Sequence, residues 1–448
     1  MNRIVAAIML ILFSLTLVST AWAGGPPPKD MLKGKFSAID RSTATATFVK
    51  DGTDEIKTLK FGALAAEEIP LNKKVMVSLD KHAGEGRDAI KDISIMFFKM
   101  TVAKIIALMV VGLIGGLLSG FIGSGGAFVL TPAMMSLGAP GAVAVASNMC
   151  HKFPKAMVGT YKRFKYGQVD LKLALTMAVT AIMGVQIGIK IQKYILNHWG
   201  NAGSNLYVSV VFVIVLVVVG GYVCYDAYKL SKGDKDGDEG HQVAPLARKL
   251  MKLNIPPMMH FKVAKVTISA WITIPVGLAT GMLAATIAVG GFIGVPGMIY
   301  VIGASAVVAS ATELGIAFIM GAWGSAQWAI SGLVDIRLTL LILSMSLIGV
   351  QLGALGTTYV KDYMIKVVMA ATMLIVAVSR GAKIPGYLAD LGMRAPLTEG
   401  ATSLLNSVSF WALIIALSTA GGIITVAMIK GMVLAKKETK MKGAVSHG

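Results

Sequence analysis

The chain has 448 residues, 55% hydrophobic and 15% charged, with a mean hydropathy of +0.72. Soluble domains run at about 25% charged residues, so this composition excludes an ordinary aqueous globule and points to an integral membrane protein. The net charge of +19 does not indicate nucleic acid, because basic patches interleaved with aromatics are missing; Lys and Arg flanking the cytoplasmic ends of membrane spans account for it.

The start, MNRIVAAIMLILFSLTLVSTAWA, carries one Arg, an apolar run and small residues at Ala21 and Ala23. This predicts a signal peptide over residues 1–23, and as cleaved signal or retained anchor it delivers the downstream chain outside the cytoplasm. Residues 24–99 are polar, balanced in charge and rich in alternation. KFSAIDRSTATATFVKDGTDEIKTLKF reads as two strands around Lys50-Asp51-Gly52-Thr53, and VMVSLD and IKDISIMF supply further short strands. The expectation is a small extracytoplasmic β domain, sandwich or barrel, with no cluster of catalytic residue types.

Apolar segments then fall near 101–120, 126–138, 142–160, 172–193 and 205–228, giving a first transmembrane repeat over 100–229. A hydrophilic linker over 230–264 separates it from segments near 265–285, 291–303, 306–326, 338–358 and 363–380, a second repeat over 265–380. Residues 381–448 hold a polar loop, a last span near 409–430 and the basic tail KKETKMK.

A shift of 165 residues superimposes the two halves. GLIGGLLSGFIGSGG (Gly112 to Gly126) falls on GLATGMLAATIAVGG (Gly277 to Gly291), GVQIG at Gly184 on GVQLG at Gly349, and Asp170 on Asp335. From Gly112 to Gly188 the frame needs no net gap, with about three in ten positions identical. The loop carrying Lys162, Arg163, Lys165 and Lys172 is expected in the cytoplasm, whereas its counterpart has Gln327, Trp328 and Ile330 in the first three places. Loss of cations at matched positions is what an inverted repeat requires. The predicted fold class is therefore an all-α polytopic membrane protein: two inverted five-helix repeats with broken helices, plus the N-terminal β domain. The linker and the tail then face the cytoplasm. The short segments 126–138 and 291–303 are counted as spans here, although 13 helical residues reach only about 20 Å.

The candidate chemistry lies at the glycine-rich breaks. Gly123, Ser124, Gly125 and Gly126 interrupt one helix and begin a short one, and Gly290 and Gly291 do so in the second half. A fresh helix N-terminus offers free N–H groups and a positive dipole end to a small anion. Pro132 and Pro296 keep the short helices irregular. The i, i+4 glycines Gly112, Gly116, Gly120, Gly277 and Gly281 read instead as close helix packing. On the next helix of each half Asn148 matches Glu313, and Ser147 matches Thr312. An ionisable residue at such depth is a functional candidate, so Glu313 either titrates in proton coupling or closes a structural hydrogen bond. Asn148, Lys152 and Lys155 share a helix face; Lys152 either attracts the anion or snorkels to the interface. His151, Gln186 and Gln351 read as packing residues. Cys150 and Cys224 lie in apolar segments, and no metal, cofactor or nucleophile–base pattern is present, so no cofactor, metal or enzymatic role is expected.

GLLSGFIGSGGAFVLTPAMMSLG, AVAVASN, VDLKLAL and GVQIG, with their second-half echoes GMLAATIAVGGFIGVPGMIYVIG, VVASATE and LVDIRL, resemble the sulfite exporter TauE/SafE family, also called the four-toluene-sulfonate uptake permease family. The resemblance covers roughly residues 100–380 and leaves out the signal, the β domain and the last span. It implies a carrier for sulfite, sulfonates, sulfate or another small anion in a bacterial inner membrane, with the lipid bilayer as its other partner and homo-oligomerisation left open. The expected substrate-binding set is Gly123, Ser124, Gly125, Gly126, Asn148, Lys152, Gly290, Gly291 and Thr312, with Glu313 as the coupling acid. The reading from another class is a sensor or scaffold whose β domain binds a partner while the membrane part anchors it. Deleting residues 24–98 separates the two: a transporter still moves substrate in proteoliposomes, and a scaffold shows no flux before or after the deletion.

Overall fold

The computed structural model describes residues 31–50, 55–60, 74–79, 90–95, 100–122, 126–231, 245–253, 255–356 and 362–445. The expected signal peptide, residues 123–125 of the first helix break and part of the linker lie outside the described residues.

The N-terminal region contains five strands, β1 (Met31–Asp40), β2 (Thr45–Lys50), β3 (Ile56–Lys60), β4 (Lys74–Leu79) and β5 (Ile90–Ile95). They form one antiparallel sheet of order β3-β2-β1-β4-β5, and no second sheet stands against it among the described residues. Phe36, Phe48, Leu59, Val75, Val77 and Ile90 make its buried face, with Phe36 and Phe48 edge-to-face at 5.1 Å. The stretch read as one strand before Lys50 is two, because the chain turns at Asp40. The Asp40 carboxylate accepts from the Ser42 N–H at 2.9 Å and the Ser42 hydroxyl at 2.6 Å, while Ala44 takes a positive φ of 50°. Those donors, Ser42's hydroxyl first, hold the Asp40 pKa down at about 2, so the carboxylate stays charged at physiological pH.

The remainder is helical. Its elements are α1 (Val102–Ile122), α2 (Ala127–Ser136), α3 (Gly141–Lys165), α4 (Leu171–Ser231), α5 (Pro245–Met251), the hairpin β6 (Met258–Phe261) and β7 (Val266–Ser269), α6 (Ala270–Ile287), α7 (Gly291–Gly297) running into a π turn (Met298–Ile302), α8 (Ala306–Ile330), α9 (Ile336–Gly356), α10 (Asp362–Gly381), α11 (Ile384–Asp390) and α12 (Glu399–Val445). Seven of these helices are long and apolar enough to cross a membrane. One of them, α4, is two helices joined at Gly200, whose φ of 62° and ψ of −156° suit only glycine. Helix α3 falls outside the seven because Asn148, His151, Lys152 and Lys155 interrupt its apolar run, yet all four are buried. Helix α12 begins ten residues before the span read from sequence, since the polar stretch from Glu399 continues as helix.

The segments counted as spans at 126–138 and 291–303 are short helices folded back on their predecessors. A Cβ on Gly126 would strike Gly115 and Ser119 of α1, and one on Gly115 would meet Leu130 of α2, so the two helices run as a hairpin. In the second half Gly290 faces Thr280 and Ala284, and Gly297 faces Val276, the same antiparallel return along α6.

Close glycine contacts join the halves by exchange. A side chain at Gly112 or Gly116 of α1 would run into the backbone of Ile342 or Ser346 on α9. Gly277 and Gly281 of α6 stand in the same relation to Met177 and Ala181 on α4. Reciprocally, Gly349 and Gly353 meet Leu113 and Leu117, while Gly184 and Gly188 meet Leu278 and Met282. Small residues let the backbones approach this closely, where lipid offers little hydrophobic drive for association. At the centre α3 crosses α8 antiparallel: Met149, Phe153 and Gly159 meet Gly324, Gly321 and Leu314 in turn. Phe153 and Phe318, equivalent positions of the two halves, stack with centroids 6.2 Å apart.

The linker contributes structure of its own. The buried Asp170 carboxylate caps α4 by accepting from Leu173 N–H, and its other oxygen accepts from Val263 and Ala264 N–H in the β6–β7 turn. The hairpin is thereby pinned to the helices. Placing a branched side chain at the tightest crossing, in Gly281→Val, should cost about 1–3 kcal/mol, measured as a lower melting temperature in detergent than for the outward-facing Gly221→Val.

Candidate functional site

The two helix breaks meet. Phe128, in the first turn of α2, and Phe292, in the first turn of α7, pack with ring centroids 5.0 Å apart. Around them Ile287, Ala288, Val289 and Leu283 close an apolar shell. The starts of α2 and α7 thus lie tip to tip inside the bundle. Among the candidates on these breaks, Gly123, Ser124 and Gly125 lie outside the described residues. Gly126 is pressed on α1, Gly290 is buried against Thr280, and Gly291 is buried at the start of α7.

Matched positions on α3 and α8 serve the two short helices differently. Asn148 is fully buried, and its Nδ2 donates to the Ala127 carbonyl at 3.0 Å and to Thr131 Oγ1 at 2.8 Å. That amide ties α3 to the first turn of α2, and its Oδ1 accepts from His151 Nδ1 at 3.2 Å. At the corresponding place Glu313 lies against Gly294 of α7, where a Cβ would overlap its Oε2. Neither carboxylate oxygen of Glu313 has a hydrogen-bond partner among the described residues. Of the three buried acids there, Asp170 and Asp335 are hydrogen-bonded, and Asp335 pairs with Arg337 at 3.0 Å. Glu313 is the acid left unengaged.

On α3, Lys152 is also buried, and its Nζ has no hydrogen-bond partner among the described residues. One turn further along α3, Lys155 is buried too, and its Nζ donates to Ser119 Oγ on α1 at 2.9 Å. Thr312, read from sequence as a substrate contact, accepts from the Asp170 N–H at 3.1 Å. Its counterpart Ser147 accepts from the Asp335 N–H at 3.0 Å, so this pair ties each central helix to the other half, α8 to the start of α4 and α3 to the start of α9. Gln351 lies at the surface and accepts from Lys162 Nζ at 2.9 Å, away from the breaks. The shared face with Asn148 and Lys152 already made Lys155 a candidate in the sequence; its partner Ser119, on another helix, had no sequence signal.

A family model described as Sulfite exporter TauE/SafE matches residues 108–380, more than half of the chain. The chain belongs to the TauE/SafE family. It is a multi-pass membrane protein of a transporter family. The TauE/SafE match runs from α1 to the end of α10, taking in both breaks, α3 and α8, and leaving out the β sheet and α12. No curated protein and no solved structure matches the chain.

Because Asn148 satisfies two groups of α2 at once, Asn148→Ala should loosen that helix. The expected cost is about 1–3 kcal/mol, with faster amide hydrogen exchange over Ala127–Ser136 and little change over Ala306–Ile330.

Proposed function

We propose that the chain is a secondary transporter for a small sulfur oxyanion or organosulfonate, working by alternating access with proton coupling at Glu313. One observation carries this reading: Lys152 and Glu313, opposite in charge, are each buried in the bundle with no hydrogen-bond partner among the described residues. Charges at membrane depth are costly unless they serve a pathway, and such residues mark substrate or proton routes. The anion would lie between the starts of α2 and α7, where first-turn N–H groups and dipole ends favour negative charge. Lys152 would supply the cation, with Ser124 at its oxygens; both Asn148 amide protons are already given to α2, so Asn148 would act by holding that helix.

An inverted-repeat architecture is supported by the exchanged glycine contacts and by the antiparallel crossing of equivalent helices α3 and α8. Two equivalent helices that cross antiparallel imply a pseudo-two-fold axis perpendicular to both. For membrane-crossing helices that axis lies in the bilayer plane, the arrangement of many carriers with midplane sites. A helix hairpin returns the chain to its starting face as two full spans would, so the charge-based orientation keeps its parity. On that basis the β sheet lies outside the cytoplasm and the linker hairpin inside, in the inner membrane.

Glu313→Gln keeps the shape of the side chain and removes its proton chemistry. Transport into proteoliposomes is expected to lose its dependence on pH while substrate exchange persists. Intact pH dependence in that variant sinks the coupling role. Lys152→Met should weaken anion binding at least about tenfold, the usual loss when a charged hydrogen-bonding partner is removed.

A further inference from the structure

A second cation is buried at the far end of α2. Arg380, in the last turn of α10, is 0% exposed. Its Nη2 donates to Ser136 Oγ, on the final residue of α2, and to Ser409 Oγ on α12 at 3.4 Å. Ser379 Oγ donates to the Ser409 carbonyl at 2.7 Å, fixing α12 beside the guanidinium. The remaining donors, on Nε and Nη1, have no acceptor among the described residues, and no carboxylate there pairs with this arginine. Arginine keeps its charge at any physiological pH, so the counter-charge has to come from elsewhere.

The location is informative. Helix α2 has ten residues, so Ser136 lies about 14 Å along it from Ala127 at the break. Arg380 thus marks one end of a line that begins at the central site. The offset of 165 residues puts Val301 where Ser136 stands. The hydroxyl that Arg380 meets is therefore replaced by an apolar side chain at the corresponding place in the second half. Ser409 comes from α12, outside the family-matched residues, so the added helix completes this cluster.

We propose that Arg380, Ser136 and Ser409 form a second oxyanion subsite, where a small sulfur oxyanion pauses between the face at which α2 and α10 end and the central site. The inference rests on the transporter reading above and extends it. A guanidinium with two hydroxyls recognises any group presenting several oxygen acceptors, whether a free anion or a lipid phosphate.

The test uses the full chain in lipid nanodiscs, with sulfite as probe under anaerobic conditions, and compares wild type, Arg380→Gln, Arg380→Lys and the double variant Ser136→Ala/Ser409→Ala. Wild type should bind sulfite in two phases. Arg380→Gln should lose one phase, Arg380→Lys should keep it at reduced affinity, and the serine variant should weaken it about tenfold without removing the charge. In vesicles of known orientation, Arg380→Gln should raise the half-saturating sulfite concentration from one face only. If Arg380→Gln does not fold, the serine variant decides by itself. Binding in all variants identical to wild type overturns the subsite and leaves the transporter reading standing. So does loss of a co-purifying anionic lipid, seen by native mass spectrometry, with sulfite binding unchanged. Wild type that neither binds nor moves sulfite, sulfate, thiosulfate or a sulfonate defeats the transporter reading itself, and this proposal with it.

Discussion

A helix broken in the middle of an apolar bundle exposes backbone N–H and C=O groups that hydrocarbon cannot satisfy. Protein must cover such a break on every side, and this constraint organises the membrane part of the molecule. Each short helix folds back on the helix before it, and each such hairpin is then clasped by the other half. Glycines at the α1–α9 and α4–α6 crossings bring backbone against backbone, closing the walls around α2 and α7. Within these walls, α3 and α8 carry the buried ionisable residues Lys152, Lys155 and Glu313.

Equivalent positions there do different work. Asn148 spends its amide on α2, whereas Glu313 reaches the equivalent helix without making a hydrogen bond. Lys152 and Lys155 have Ala317 and Met320 as counterparts at the same offset. Duplication supplies a symmetric frame, and substitution on one side of it concentrates positive charge in the first half and the free acid in the second. An interior made in this way has two unlike walls, which suits the proton-coupled anion transport proposed above.

Much of this was legible in the sequence because the decisive residues are chemically singular. Glycine at every fourth position has few readings inside a span, and Asp170 over Asp335 cannot arise from apolar composition. The structure gives that aspartate a use: the Asp170 and Asp335 carboxylates accept from the Leu173 and Arg337 N–H groups at the starts of α4 and α9. What stayed hidden was hidden for physical reasons. The β1–β2 turn carries two hydrogen bonds from Ser42 to the Asp40 carboxylate that strand propensity does not register. The early start of α12 was masked by its polar first turns, since hydropathy measures lipid exposure and says little about where a helix begins. The β6–β7 hairpin carried a faint alternation in MMHFKVAKVTIS, but its position is fixed by hydrogen bonds to Asp170, 93 and 94 residues away in sequence. Arg380 looked like an ordinary cation flanking a span; only α12, packed across it, makes it interior.

The exchange of partners between halves has a consequence for biosynthesis. When residues 100–231 have left the ribosome, the glycine faces of α1 and α4 have no helices to receive them. Their partners α9 and α6 are still to be made, and α6 arrives before α9. The first half must therefore wait in the bilayer as an incompletely clasped hairpin, exposed to quality-control proteases, until the second half inserts. Synthesis of the last matched helix, rather than of the first repeat, sets the moment at which the fold becomes self-supporting.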